Sequence, residues 1–368
     1  MSEKQKYSVL FCGPIAKAGE PARGGYQACN KRTIDFLKRA GIIIHPLPYP
    51  EPQEKGVKKY ILYLMGFLIL FYKILTRSKP GCIFHLTGLY KYFIPIELII
   101  LLIARFGGCN TIYDVRAGSA IRYFESGSKW YKFVFVFVLK QADLILVEGE
   151  RYINFIHKIS GKIPRYFPNH IETSKLQTII CRRNNSGNLR LIYVGKISAE
   201  KGISVIPEIS CVLNELGLKN EVVIVGNGDT QYIESVKQRY KNCKIKFTGP
   251  LESGAVICEL SNSHFSVFPT VHLGEGHSNA LTEAMAVGCV PVVSENGFNR
   301  SVVGECGRVV ANNLDANLYA NAIAMIWEST QWGILSEKCK FRVNRFFDTD
   351  KVVKDLIDNY NSMGLIKN

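Results

Sequence analysis

The sequence predicts an α/β protein of two doubly wound, Rossmann-like domains, each a parallel sheet with helices on both faces. Three observations carry this. The chain has 368 residues, too long for one ordinary core and suited to two domains of about 150–200 residues. Short apolar runs alternate with helical patterns in both halves, as parallel sheets require. The series stops and restarts across 168–188, a polar stretch without periodicity that holds the run Arg182-Arg183-Asn184-Asn185-Ser186-Gly187.

In the first half, Tyr7–Cys12 reads as a strand, Gly25–Ala40 as a helix closed by Gly41, and Ile42–Pro46 as the next strand. Gly81–Leu86, Thr111–Val115 and Asp143–Val147 continue the series. The second half restarts with strand Leu189–Val194, helix Ile203–Leu216 and strand Glu221–Val225. Helix Gln231–Tyr240, strands Ile245–Thr248 and His264–Phe268, helix Ala280–Val287 and strand Val290–Val293 follow. The expected domains are 1–168 and 189–340, joined by a linker at 169–188. In open α/β sheets ligands bind outside the carboxyl ends of the strands, so with two domains the expected site is the cleft between them.

Composition excludes several classes. Hydrophobic residues make up 47% and charged residues 21%, which is globular rather than disordered. No fixed repeat period is present. Eleven cysteines run from Cys12 to Cys339 with no CxxC pair and read as reduced thiols of a cytoplasmic protein. The polar start, Met1 to Ser8, does not read as a signal peptide.

Charge is distributed unevenly. Residues 1–170 hold 25 Lys+Arg against 11 Asp+Glu, a net of +14, while 171–368 hold 21 against 20, a net of +1. Such asymmetry marks a domain that faces an anionic partner. No nucleic-acid-binding module is recognisable. The apolar run Tyr60–Tyr72, between Lys58-Lys59 and Lys73 and Arg77, favours an anionic membrane surface. Leu98–Ala104 and Phe133–Leu139 add two shorter apolar clusters. As read, none of the three is long enough to span a bilayer, so an interfacial helix or a core helix is expected.

The chemistry lies in the loops after strands. Gly24-Gly25 follow the first strand and precede a helix, where backbone amides can approach an anion. Gly195-Lys196 through Lys201-Gly202 put two cations between a strand and a helix, which suits a diphosphate. Gly226-Asn227-Gly228-Asp229 carries only half a dinucleotide fingerprint, which argues against a dehydrogenase. In Phe268–Pro291 a strand ends in a loop carrying Glu275. Gly276, His277 and Ser278 follow, and a helix begins at Asn279-Ala280-Leu281 and bears Glu283. Ser278 or Asn279 can cap that helix, its start can bind phosphate, and the two carboxylates can hold ribose and sugar hydroxyls.

This segment resembles the Glu-x7-Glu signature of retaining glycosyltransferases of family 4, which have the GT-B fold, with Glu275 and Glu283 as the two glutamates. Pro168-Asn169-His170 resembles the family's Pro-Asn-Gly, Gly195-Lys196 to Lys201-Gly202 its Gly-Arg-x4-Lys-Gly, and Phe247-Thr248-Gly249 the turn near its nucleobase. Arg345-Phe346-Phe347 into Val352–Tyr360 resembles its last helix, so 341–368 is expected to return to the first domain. The chain departs from the pattern at Lys196, where arginine is commoner, and at His277-Ser278, where Phe-Pro is commoner.

The resemblance implies a nucleotide-sugar donor, expected to be a UDP-sugar, and no metal or other cofactor. Lys196 and Lys201 would neutralise the diphosphate, Glu283 would hold the ribose, and Glu275 with the backbone at Gly276 and His277 the transferred sugar. Asn279, Ala280 and Leu281 would offer amides to phosphate, and Gly25 would close over the donor. Asp114 and Arg116, after a first-half strand, are candidates for the acceptor side, a structural ion pair being the alternative. With the basic, apolar first domain, the expected acceptor is a lipid-linked oligosaccharide of a bacterial surface polysaccharide such as O-antigen or capsule. The enzyme would then be peripheral on the cytoplasmic face of the membrane. Two other classes stay open: a sugar-nucleotide epimerase of similar fold, and a non-catalytic binding subunit. Asp348-Thr349-Asp350 reads as a DxD metal motif, but its place before the last helix fits a cap.

Overall fold

The computed structural model describes residues 7–16, 20, 22, 24–116, 118–176, 188–241, 243–311 and 314–365. The chain divides into two compact units, one of Met1–Pro168 with Thr349–Asn368, the other Asn169–Asp348.

Unit 1 alternates β1 Ser8–Gly13, α1 Gly24–Arg39, β2 Ile43–Pro48, α2 Val57–Arg77, β3 Ile83–Gly88, α3 Ile94–Phe106 and β4 Asn110–Val115. It continues with α4 Ala120–Ser126, α5 Lys129–Gln141, β5 Leu144–Val147, α6 Arg151–Ser160 and β6 Arg165–Tyr166. The sheet order is β2-β1-β3-β4-β5-β6, with every pair parallel. The order reverses between β1 and β3, so helices leave in opposite directions there and a crevice opens beyond the strand ends.

Unit 2 runs α7 Thr173–Leu176, β7 Leu189–Val194, α8 Val205–Glu215, β8 Asn220–Val225, α9 Thr230–Arg239, β9 Ile245–Gly249 and α10 Ser253–Ser261. Then come β10 Phe265–Phe268, α11 Asn279–Ala286, β11 Val290–Ser294, α12 Asn299–Val303, β12 Arg308–Val310, α13 Ala316–Glu328 and α14 Trp332–Phe346. The order β12-β11-β10-β7-β8-β9 is again all parallel and reverses between β7 and β10.

The last helix, α15 Thr349–Leu365, belongs to unit 1. Val352, Val353, Leu356, Tyr360 and Met363 recur at helical spacing and enter the unit 1 core beside Val9, Phe11, Leu37 and Ile112. The Tyr7 hydroxyl donates to Asn361 at 2.7 Å, and Asn110 donates to the Met363 carbonyl at 2.9 Å. The return thus begins at 349 rather than 341. Residues 341–348 stay in unit 2 because α14 packs on α11 and β11, with Cys339 and Val343 fully buried. The expected linker is no separate segment where described. Asn169–Leu176 belongs to unit 2, and Ile171 bridges Asp348. Residues 177–187, including the basic run, lie outside the described residues.

The apolar run at Tyr60–Tyr72 is the middle of a longer helix. α2 has 21 residues and at about 1.5 Å per residue reaches about 31 Å. The reading that it is too short to cross a bilayer is therefore corrected: among the described residues α2 is long and apolar enough to cross by length and composition. The end residues were missed because Lys58, Lys59, Lys73 and Arg77 interrupt the apolar run without ending the helix. Phe67, Leu70 and Ile74 are buried, with Phe67 against the rings of Tyr49 and Phe93. Leu64, Leu68 and Tyr72 stand out at 63%, 57% and 68% exposure.

Glu97 on α3 is fully buried. It accepts from the Leu89 amide at 2.5 Å and the Tyr113 hydroxyl at 2.6 Å. Burial outweighs these donors and raises its pKa to about 7. The folded chain therefore holds this proton more tightly than the unfolded chain, where glutamate titrates near 4.3. That contribution to stability is complete only below pH ~4 and is lost as pH rises through ~7, a change of about 4 kcal/mol. Glu97→Gln is expected to remove this part of the pH dependence. Urea unfolding of both chains across that window measures it, and parallel stability profiles would contradict the assignment.

Candidate functional site

In unit 2 the reversal of strand order sets the loop after β7 beside the loop after β10. Their approach is close. The Val271 amide donates to the Glu200 carbonyl at 2.8 Å. Gly202 has φ +69, and a Cβ there would lie 2.1 Å from the Pro269 carbonyl oxygen. On the other side, a Cβ at Gly226 would lie 1.8 Å from the Gly195 oxygen. These glycines are required because three loops are stacked at one edge of the sheet.

Lys201 and Glu275 meet at this edge. The Lys201 ammonium lies 2.5 Å from Glu275 Oε2, and the two side chains are 18% and 8% exposed. Thr270 donates to the same oxygen at 2.8 Å. Lys201 also lies 5.6 Å from the centroid of the Phe268 ring. Lys196 shares the loop, but its side chain is exposed. Its carbonyl accepts from the Tyr193 hydroxyl at 2.8 Å. Burial, with Glu275 nearby, pushes the Tyr193 phenol up, so it stays a donor and holds the loop.

The loop bearing Glu275 is fixed from behind. Ser294 donates to the Thr270 carbonyl and Asn296 to the His272 carbonyl, both at 2.8 Å. The His277 ring is buried, with Nε2 2.8 Å from the Thr282 hydroxyl and its edge on Phe347. Asn169 donates to the His277 carbonyl at 2.5 Å. Ser278 is at the N-cap of α11, but its side chain makes no cap hydrogen bond, so the capping expected of it is corrected. Gly276 lies in the fixed loop, Asn279, Ala280 and Leu281 open α11, and Glu283 lies on it, half-buried. Ser294 and Asn296 carry no sequence signal because their partners are backbone carbonyls 24 residues away. Thr270, five residues before Glu275, and Asn169, in Pro168-Asn169-His170, lay within quoted motifs.

The first-half candidates lie in unit 1. Gly24 and Gly25 open α1 beyond β1, Gly24 with φ +81. Asp114 and Arg116 form a buried ion pair, Arg116 Nε donating to Asp114 Oδ2 at 2.6 Å. His85 Nε2 lies 3.5 Å from that oxygen, and His85 Nδ1 lies 2.6 Å from the Tyr360 hydroxyl. Burial pushes Asp114 up, but Arg116 and His85 outweigh it and hold its carboxyl below the usual range. The guanidinium also lies 4.5 Å from the Phe167 ring centroid. The two residues are thus paired with each other and enclosed within unit 1.

Asp348 accepts from the amide and hydroxyl of Thr173, the latter at 2.5 Å, within unit 2. Among the described residues no group of three or more His, Cys, Asp or Glu is placed to hold a metal ion. The contact of Lys201 with Glu275 makes a direct prediction. Lys201→Ala and Glu275→Ala should each destabilise unit 2, and a double-mutant cycle in urea should show coupling of about 0.5–3 kcal/mol. Additive effects would mean that the pair contributes nothing beyond its separate parts.

Residues 188–329 match the family model described as Glycosyl transferases group 1. No curated protein matches the chain by sequence. Among solved structures, it is similar to a sucrose-phosphate synthase from Thermosynechococcus elongatus (TM-score 0.73, 16% identity, covering 97% of this chain and 99% of that one). It is also similar to a glycosyltransferase from Rickettsia africae ESF-5 (TM-score 0.74, 11% identity, covering 98% and 99%). A third is the pneumococcal O-GlcNAc transferase GtfA in complex with UDP and GlcNAc (TM-score 0.62, 12% identity, covering 80% and 59%). The chain therefore has the α/β GT-B fold, and the part that carries Lys201 and Glu275 matches the group 1 glycosyltransferase model.

Proposed function

We propose that this chain is a retaining glycosyltransferase that moves a sugar from a UDP-sugar to a lipid-linked oligosaccharide in the assembly of a bacterial surface polysaccharide. The observation that carries the reading is the Lys201–Glu275 pair at the strand-order reversal of unit 2, inside the segment that matches the glycosyltransferase model. The UDP in the GtfA complex supports the choice of nucleotide.

In this reading the pair is a resting arrangement. A donor diphosphate takes Lys201 from Glu275 and leaves the carboxylate to accept from hydroxyls of the transferred sugar. Lys196, exposed on the same loop, adds the second positive charge. Glu283 holds the ribose, and the first amides of α11 face phosphate. As the glycosidic bond breaks, negative charge grows on the diphosphate, so fixed cations act on the transition state. The same two lysines supply the charge that a divalent ion would bring, and the reaction is proposed to need no metal.

Incubation with a panel of nucleotide sugars, with and without a polyprenyl-diphosphate oligosaccharide, tests the activity. Release of UDP that rises with acceptor, falls by about 100-fold or more in Lys201→Ala and survives EDTA is the expected result. Abolition by EDTA with recovery on Mn²⁺ would overturn metal independence, and absence of nucleotide release with every sugar would overturn the reading.

The proposed location is peripheral, on the cytoplasmic face of the membrane. One face of α2 packs on unit 1 while Leu64, Leu68 and Tyr72 remain exposed between basic ends, and the first half carries the excess charge. Apolar insertion and charge together hold a protein where either alone is marginal. Each lysine near anionic lipid contributes about 1 kcal/mol within a Debye length of ~8–10 Å. The full chain should co-sediment with anionic vesicles, less so as salt rises, and replacing Lys58, Lys59, Lys73 and Arg77 by Gln should reduce binding. Indifference to anionic lipid at low salt would overturn the membrane face.

A further inference from the structure

Unit 1 has a hollow that the donor reading does not use. It is open to solvent, has a volume of about 380 Å³ and is lined by Lys91, Tyr92, Tyr123, Trp130 and Tyr131 among others. That volume is in the range of small-molecule sites, about 300–1,000 Å³. Lys91 and Tyr92 follow β3, Tyr123 is on α4 after β4, and Trp130 and Tyr131 begin α5. The hollow therefore borders the carboxyl ends of β3 and β4, next to the strand-order reversal of unit 1, where open α/β sheets take their ligands.

Its walls are aromatic and only partly covered. Tyr123 meets Tyr92 and Tyr131 edge to face, with centroids 6.3 and 5.0 Å apart. Tyr92 and Trp130 are nonetheless 85% and 60% exposed. Lys91 lies 5.9 Å from the Tyr123 ring centroid. The turn that carries it is strained: Tyr90 and Lys91 have φ of +47° and +51°, at about 1–3 kcal/mol each. The fully buried Glu97 holds the turn through the Leu89 amide, and the Tyr90 hydroxyl is tied to Ser119 at 2.5 Å. The strained turn thus sets an exposed cation, Lys91, and an exposed ring, Tyr92, at the hollow.

We propose that the hollow is a saccharide subsite for the acceptor. A pyranose offers C–H groups on its faces and hydroxyls around its edge. The C–H face packs on an aromatic ring, whose face is electron-rich, and Lys91 donates to an edge oxygen. This assignment rests on the glycosyltransferase reading, which supplies the need for a second sugar.

The experiment uses the full chain with maltose, lactose, cellobiose and chitobiose as probes, followed by saturation-transfer NMR. UDP binding and sedimentation with vesicles of equal parts phosphatidylcholine and phosphatidylglycerol are measured alongside. At least one disaccharide should bind, Trp130→Ala and Tyr92→Ala should weaken it about tenfold or more, and both variants should bind UDP as the parent does. Failure of every disaccharide to bind, or equal binding by parent and variants, overturns the proposal. So does loss of vesicle binding in the variants with saccharide binding intact, which would make the hollow part of a membrane face. Failure of the parent chain to bind UDP strikes the donor reading instead, and the saccharide result still decides this one.

Discussion

Parallel pairing obliges each strand to be followed by a crossover that returns the chain to the starting edge of the sheet. Every carboxyl end of a strand then lies at one edge and every crossover begins there. Both units obey this constraint throughout, and the remaining features follow from it. Where strand order reverses, successive crossovers leave on opposite faces and the loops between them are uncovered. In unit 2 those loops carry Lys201 and Glu275. In unit 1 they carry the start of α1 and the strained turn after β3.

Loops stacked at one edge must either clash or be thinned. Gly195, Gly202 and Gly226 thin them, and backbone bonds such as that from Val271 to Glu200 lock them together. The charged groups there are partly desolvated and need partners. Lys201 and Glu275 partner each other, and Thr270 adds a donor. An ion pair between flexible loops would have little geometric definition. Here Ser294 and Asn296 hold the Thr270 and His272 carbonyls just before Glu275, which gives the loop that carries the carboxylate a defined path.

Unit 1 buries charge differently. Asp114 and Arg116 neutralise each other, and His85 joins them to Tyr360 on α15. The last helix is thereby bound to unit 1 by polar contacts as well as by its apolar face. Glu97, by contrast, is held by neutral donors, the Leu89 amide and the Tyr113 hydroxyl, and burial dominates its titration.

Much of the fold was determined by the sequence itself. Alternating apolar runs and helical patterns placed β7 at its exact bounds and most other named strands within two residues, because a buried parallel strand is continuously apolar and its loop is not. The sequence also determined that Glu275 and Glu283 straddle the start of a helix, and that positive charge is concentrated in the first half. It left α4, α6, α7, α10, α12, α13 and α14 and the short strands β6 and β12 unnamed, since these are either short or mix apolar and polar positions that only packing sorts into faces. Tertiary structure alone decided that Lys201 meets Glu275 across 74 residues, that Asp114 and Arg116 are enclosed, and that 341–348 stays with unit 2 while α15 does not. It decided, too, that α2 runs through its flanking lysines and buries one face only. The physical reason is the same in each case: sequence periodicity records which face of an element is apolar, whereas the partner of a charge or of a face is chosen by the order in which strands are laid side by side.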